Sequence, residues 1–250
     1  MMINARFYAV LFLCGLMTSV CLAQSTASDS FESAAVGSLD KVASGEGFAD
    51  AWKLIGVGVK DVTVVEKSLQ YAQGDIKVDG GSKAVQYAAS DAGIAVLATR
   101  GLEQQPDVVY LSVLFEASGS ADSNDFFQIG FDDGKANAPL ASVVCSGKFY
   151  ARSGLASQGT PSMGAVKQGE TALLVVKAEK INGSDQYNSV TIYANPISME
   201  ETANKSVKHD QNSGMKTIKR LSLRKAFTEK GDVFVVDAIR IGSTFESVLK

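Results

Sequence analysis

Two acidic stretches are the first candidates for chemistry. Asp122-Ser123-Asn124-Asp125 and Asp132-Asp133-Gly134-Lys135-Ala136-Asn137 put oxygen-bearing side chains around one expected hairpin. Calcium takes about six to eight oxygen ligands from carboxylates and carbonyls, so Asp122, Asn124, Asp125, Asp132 and Asp133 are candidate ligands. The spacing is not that of an EF-hand, and Lys135 opposes a cation. The alternative reading is two polar β-turns, where Asp, Asn and Gly are favoured for backbone reasons.

Sugar binding needs an aromatic platform with hydrogen-bonding groups beside it. Trp52 is the sole Trp, and Tyr71, Tyr87, Tyr150 and Tyr187 are further stacking candidates. Trp52 also reads as core packing, because the indole buries a large apolar area. Arg152 stands two residues from Tyr150 and would add a polar contact on a concave sheet face. Trp52, Tyr150 and Arg152 are therefore the candidate ligand-binding residues.

Catalysis has less to draw on. Glycoside hydrolysis needs two carboxylates about 5 to 9 Å apart, and strand neighbours share a face only at every second residue. Glu66, Glu116 and Glu179 are isolated in strand-like segments, and Asp132-Asp133 would face opposite ways. The single His, His209, lies in Lys208-His209-Asp210-Gln211-Asn212 and reads as a solvated loop residue. There is no Gly-x-Ser-x-Gly elbow and no phosphate-binding glycine loop. The balance leans against an enzyme.

The elements that must position these residues read as strands. Candidates are Val62–Val65, Ala84–Tyr87, Ile94–Ala98, Val108–Phe115, Phe126–Phe131, Ser142–Cys145, Phe149–Arg152, Ala172–Glu179, Ser189–Ala194 and Val233–Ile241. Ser146-Gly147-Lys148 and Asn182-Gly183-Ser184-Asp185 are hairpin turn signals. In the last strand, unbroken alternation puts Val233, Val235, Asp237, Ile239 and Ile241 on one side. Met199 to Lys208 is expected to make a turn or two of surface helix. Short strands punctuated by glycine predict an all-β fold, an antiparallel β-sandwich or jelly roll. Residues 31–249 are expected to form one domain, preceded by a polar leader, 24–30.

Residues 1–23 read as a secretory signal peptide: Arg6, an apolar run from Phe7 to Leu22, and small residues at Cys21 and Ala23 before Gln24. The run falls short of the ~20 residues that span a bilayer. Thr18-Ser19-Val20 before Cys21 does not suit lipid attachment. An exported, soluble protein is expected, secreted or extracellular, with periplasm or cell surface as destinations. Cleavage would leave Cys145 alone, in an apolar run that suits a core thiol. The 250 residues are 46% hydrophobic and 20% charged with net charge -3, and the pI is near 5.3. That composition fits a globular chain, and the acidic balance argues against a nucleic-acid partner.

Several segments resemble a known family in order. Asp29-Ser30-Phe31-Glu32-Ser33 with Val36-Gly37-Ser38-Leu39, then Gly47-Phe48-Ala49-Asp50-Ala51-Trp52, resembles the opening of concanavalin A-like (laminin G-like) jelly-roll domains of secreted bacterial proteins. Gly169 to Lys177 resembles an internal strand of that family and Val190 to Pro196 its partner. Val236-Asp237-Ala238-Ile239-Arg240-Ile241-Gly242-Ser243-Thr244-Phe245 resembles its closing strand, with Ala238, Phe245 and Phe48 departing from the usual residues. The resemblance implies two stacked antiparallel sheets with the first and last strands adjacent. Its members include lectins, adhesion modules and glycan-active enzymes, so fold alone assigns no activity. The expectation is a secreted, non-catalytic sandwich that binds carbohydrate, as polysaccharide or cell-surface glycan, or another extracellular surface. It has no membrane span, and calcium is the candidate cofactor. The rivals are a hydrolase or lyase with a non-standard site, and a structural or adhesion protein without a small ligand.

Overall fold

A computed structural model describes residues 25–90, 95–119, 125–155 and 161–250. The expected signal segment, Ile94, and the candidate ligands Asp122 and Asn124 lie outside the described residues. In chain order the strands are β1 (Ser25–Asp29), β2 (Gly37–Ser38), β3 (Lys53–Gly56), β4 (Val62–Glu66), β5 (Gln70–Gln73), β6 (Ile76–Asp79), β7 (Lys83–Ala88), β8 (Val96–Gly101) and β9 (Val108–Ser118). They continue as β10 (Phe126–Asp132), β11 (Ala141–Ser146), β12 (Lys148–Ser153), β13 (Ser162–Ala165), β14 (Ala172–Glu179), β15 (Ser189–Ala194), β16 (Val207–Asp210), β17 (Arg220–Ala226) and β18 (Val233–Gly242).

Two large antiparallel sheets stack on each other as a β-sandwich. The nine-stranded sheet runs β16-β15-β14-β9-β18-β7-β4-β2, with β1 also paired to β18. The seven-stranded sheet runs β13-β12-β11-β10-β17-β8-β3. Period-2 alternation supplies the inner faces. Val109, Leu111, Val113 and Phe115 of β9 meet Phe127, Ile129 and Phe131 of β10 in one buried cluster. Its centre is aromatic, with Phe127 at 5.1 Å from Phe234 and 5.6 Å from Phe115 between ring centroids. Cys145 belongs to this cluster, and burial pushes its thiol pKa up.

The first and last strands are adjacent, as the resemblance implied: Ala27, Ser28 and Asp29 pair with Ile241, Arg240 and Ile239. The expected leader is therefore part of the sandwich from residue 25 onward. Two further expectations are corrected. Met199 to Lys208 forms only a short 3-10 turn (Glu201–Ala203) and then enters β16, whose pairing with β15 fixes an extended backbone. In β18 the alternation does not run through. Phe234 and Val236 face inward, but so do Ile239 and Ile241. The β18–β9 register shifts between Asp237 and Arg240, and Ala238 sits at φ 47. A bulge inserts one residue, so inward positions change from even to odd.

A third layer covers the outside of the nine-stranded sheet. The β5–β6 hairpin and the chain end bring Leu69, Tyr71, Ile76, Phe245, Val248 and Leu249 onto Tyr110, Leu114, Leu173, Val175 and Tyr193. A short 3-10 turn (Glu246–Val248) closes this second core.

Candidate functional site

The outer face of the seven-stranded sheet carries a different population. Directly opposite residues of an antiparallel pair share a face, so the register defines two cross-strand rows there. One is Tyr150, Val144, Gln128, Arg224 and Leu97. The next is Arg152, Ser142, Gly130, Ser222 and Thr99. Along β12, Phe149 and Ala151 turn into the core, which sends Lys148, Tyr150 and Arg152 outward. The sequence Lys-Phe-Tyr-Ala-Arg thus builds a polar stripe at every second residue.

Arg152 and Arg224 converge on Phe126, with guanidinium carbons 6.0 and 5.5 Å from the ring centroid. Phe126, Tyr150, Arg152 and Arg224 are each half-buried. Among the described residues neither arginine forms a salt bridge. Arg152 donates through Nη2 to the Leu155 carbonyl. Its Nε lies out of solvent without a partner among the described residues, as does Oε1 of Gln128. Burial holds the pKa of Arg152 below the usual range, with the positive charge of Arg224 adding to it; burial does the same to Arg224. A shift of this kind marks charged groups whose lost hydration the protein has not replaced.

The floor beneath them is low and tied down. Gly130 sits between Ser142 and Ser222, where an added Cβ would stand 2.1 Å from the Ala141 carbonyl oxygen. Gln128 Nε2 donates to the Pro139 carbonyl at 2.9 Å and to Ser142 Oγ at 2.7 Å. Arg220 donates to the Ala136 carbonyl at 3.0 Å, so the segment after Asp133 folds back over this end of the sheet.

Of the sequence candidates, Tyr150 and Arg152 share this face and Trp52 does not. Trp52 is 0% exposed and its indole N–H donates to Asp29 Oδ2 at 3.1 Å. Asp29 also accepts from Ser44 and from the Arg100 guanidinium, which stacks 4.0 Å from the Phe48 ring centroid. The indole belongs to a buried structural knot and is corrected from ligand platform to core.

The acidic hairpin is likewise committed to the fold. Asp132 is fully buried and accepts from Arg220 Nε at 2.8 Å, Gly134 N–H at 2.6 Å and the Ser222 hydroxyl. Asp133 Oδ1 accepts from the N–H groups of Lys135 and Ala136 at 2.9 and 3.1 Å, the polar turn that was the alternative to calcium. Asp125 is buried at 2% exposure. Among the described residues no group of three His, Cys, Asp or Glu is arranged to hold a metal.

His209 is corrected as well. It lies on β16 at 8% exposure, and its Nδ1 accepts the Ser153 N–H at 3.0 Å. Burial lowers its pKa, Asp210 opposes that and Arg152 adds to it. Arg224 is the site residue that sequence reading missed. The signal was Arg220-Leu221-Ser222-Leu223-Arg224, an alternating strand whose inner positions are the two leucines.

No family model matches the chain, and no curated protein matches it. Among solved structures it is similar to the carbohydrate recognition domain of Emp47p, at TM-score 0.46 and 10% identity over 88% of this chain and 96% of that one. It is similar to lectin II from Ulex europaeus, at TM-score 0.44 and 10% identity, covering 76% and 97%. It is also similar to a marine PL-14 alginate lyase from Aplysia kurodai, at TM-score 0.46 and 9% identity, covering 76% and 90%. At these values the function has to be argued from the chain's own residues.

Proposed function

We propose that this chain is an exported, non-catalytic sandwich of the laminin G-like kind that binds glycan on the outer face of its seven-stranded sheet. One observation carries the reading: Arg152 and Arg224 converge half-buried on Phe126, on the sheet face that also carries Tyr150, with neither guanidinium in a salt bridge among the described residues. Flat rings stack on the apolar side of a sugar, and planar guanidinium groups bridge adjacent hydroxyls. A sheet holds such groups at fixed spacing, so little ordering is left for binding to offset. The imidazole acceptor of His209 is occupied by Ser153, which removes the one histidine from service as a base.

Affinity electrophoresis of the full chain against neutral and acidic polysaccharides tests the reading. Retardation by at least one polymer is expected, and Tyr150→Ala should abolish it. Failure to bind any polymer would overturn the glycan reading, and release of new reducing ends would overturn the non-catalytic one. Export is tested separately: the mature chain should begin at Gln24.

A further inference from the structure

We infer that the glycan is anionic, its carboxylate or sulfate groups held between Arg152 and Arg224 beside Phe126. This deepens the glycan reading above and rests on it.

The charge pattern of the face supports it. Arg152 and Arg224 flank Phe126, while Asp132 on the same face is already saturated by Arg220, Ser222 and a backbone N–H. Elsewhere most buried cations are matched within the fold; Arg240 is an exception, with no salt bridge and no partner for its Nη1 among the described residues. Arg100 pairs with Asp29, Lys177 with Glu179 at 3.2 Å, and Lys225 approaches Asp61 at 3.8 Å. The unmatched pair is not a by-product of a basic chain, because the net charge is -3.

Two guanidinium groups that face one ring repel each other and have lost part of their hydration. An anion placed between them relieves both costs, and the planar fork of Arg suits carboxylate and sulfate oxygens. The net charge of -3 disfavours a nucleic-acid backbone, which leaves an acidic sugar as the anion the site would take.

The experiment titrates the full chain calorimetrically with five polymers. These are polygalacturonate, the same polymer with its carboxyl groups reduced, dextran sulfate, neutral dextran and a single-stranded oligonucleotide. Either polygalacturonate or dextran sulfate should bind about tenfold or more tighter than its neutral counterpart, and the one that does names the anion. Affinity should fall as NaCl rises from about 50 to about 300 mM. Arg152→Gln and Arg224→Gln should each weaken binding about tenfold with unchanged melting. If one of the two fails to fold, the other carries the same test. Lys250→Gln, at the chain end, should leave affinity unchanged. Equal affinity for charged and neutral polymers would overturn the anionic inference and leave glycan binding standing. No binding to any polymer would remove both, and a preference for the oligonucleotide would overturn the inference in favour of a nucleic-acid surface.

Discussion

The two outer faces of the sandwich are built from similar alternating strands and end in opposite states. On the nine-stranded side a hairpin and the chain end cover the sheet, and the exposed margin is charge-balanced. Lys177 lies 3.2 Å from Glu179 and 3.6 Å from Glu201, and Lys208 lies 3.3 Å from Asp210. Glu201 also accepts from the hydroxyls of Tyr110, at 2.8 Å, and Tyr193. On the seven-stranded side Arg152 and Arg224 stand half-buried without such partners among the described residues, whereas on the nine-stranded side Arg240 alone of the named groups is in that state. The contrast separates a face whose polar groups, Arg240 apart, are mostly spent on folding from one where two cations converge on a single ring with capacity left for something outside the chain.

The largest effect should come from uncovering the nine-stranded side. Phe245 packs against Tyr193 at 4.9 Å and Tyr110 at 6.3 Å between centroids. Phe245→Ala is expected to cost about 3 to 5 kcal/mol in chemical denaturation. A loss below ~1 kcal/mol would mean the third layer is not a true core.

Next comes a pH dependence on the same side. Asp237 is fully buried under the hairpin, accepting from Leu69 N–H at 3.3 Å and Ala238 N–H at 2.6 Å. Burial, reinforced by Glu32 and Asp79, raises its pKa from 3.8 to about 7. Below the lower value both folded and unfolded chains hold the proton. Between the two values only the folded chain keeps it, so this group's contribution to stability falls as pH rises from about 4 to about 7 and is level above that. The loss is on the order of 4 kcal/mol. Melting curves across that range should show the decline, and Asp237→Asn should flatten it.

Gly80 sharpens the point by geometry. A Cβ there would lie 1.8 Å from Asp237 Oδ2. Gly80→Ala must therefore displace the carboxylate, at about 1 to 3 kcal/mol; unchanged stability would show that the hairpin shifts freely.

The smallest stability effect belongs to the other face. Arg152→Gln and Arg224→Gln should move stability by no more than about 0.5 kcal/mol, because they remove mutual repulsion along with packing. A large destabilisation of either variant would place these arginines among the structural groups and erase the contrast.

Part of this was legible from sequence. Lys148 to Arg152 could be read because Phe149 and Ala151 alternate with polar neighbours, and that is how Tyr150 and Arg152 came out on one face. Arg224 could not, because Lys225 stands at the next inward position and disguises the strand: its ammonium is fully buried, donating to the Ala88 carbonyl at 2.6 Å. The turn of Trp52 toward the core depends on Asp29 and Arg100, far apart in the chain and joined only when the sheets stack. The bulge at Asp237 and Ala238 left no local mark, since apolar residues lie on both sides of β18. The small β5–β6 hairpin was too short and too polar at Gln70, Gln73 and Lys77 to stand out.

The most direct measurement is backbone amide shift mapping by NMR while short oligosaccharides of polygalacturonate and of dextran sulfate are titrated, in separate runs, into the full chain. Perturbations gathered on β10, β12 and β17, around Phe126, Tyr150, Arg152 and Arg224, are the predicted result. Perturbations centred on the covered side, around Tyr110, Tyr193 and Glu201, or none at saturation with either oligosaccharide, would contradict it.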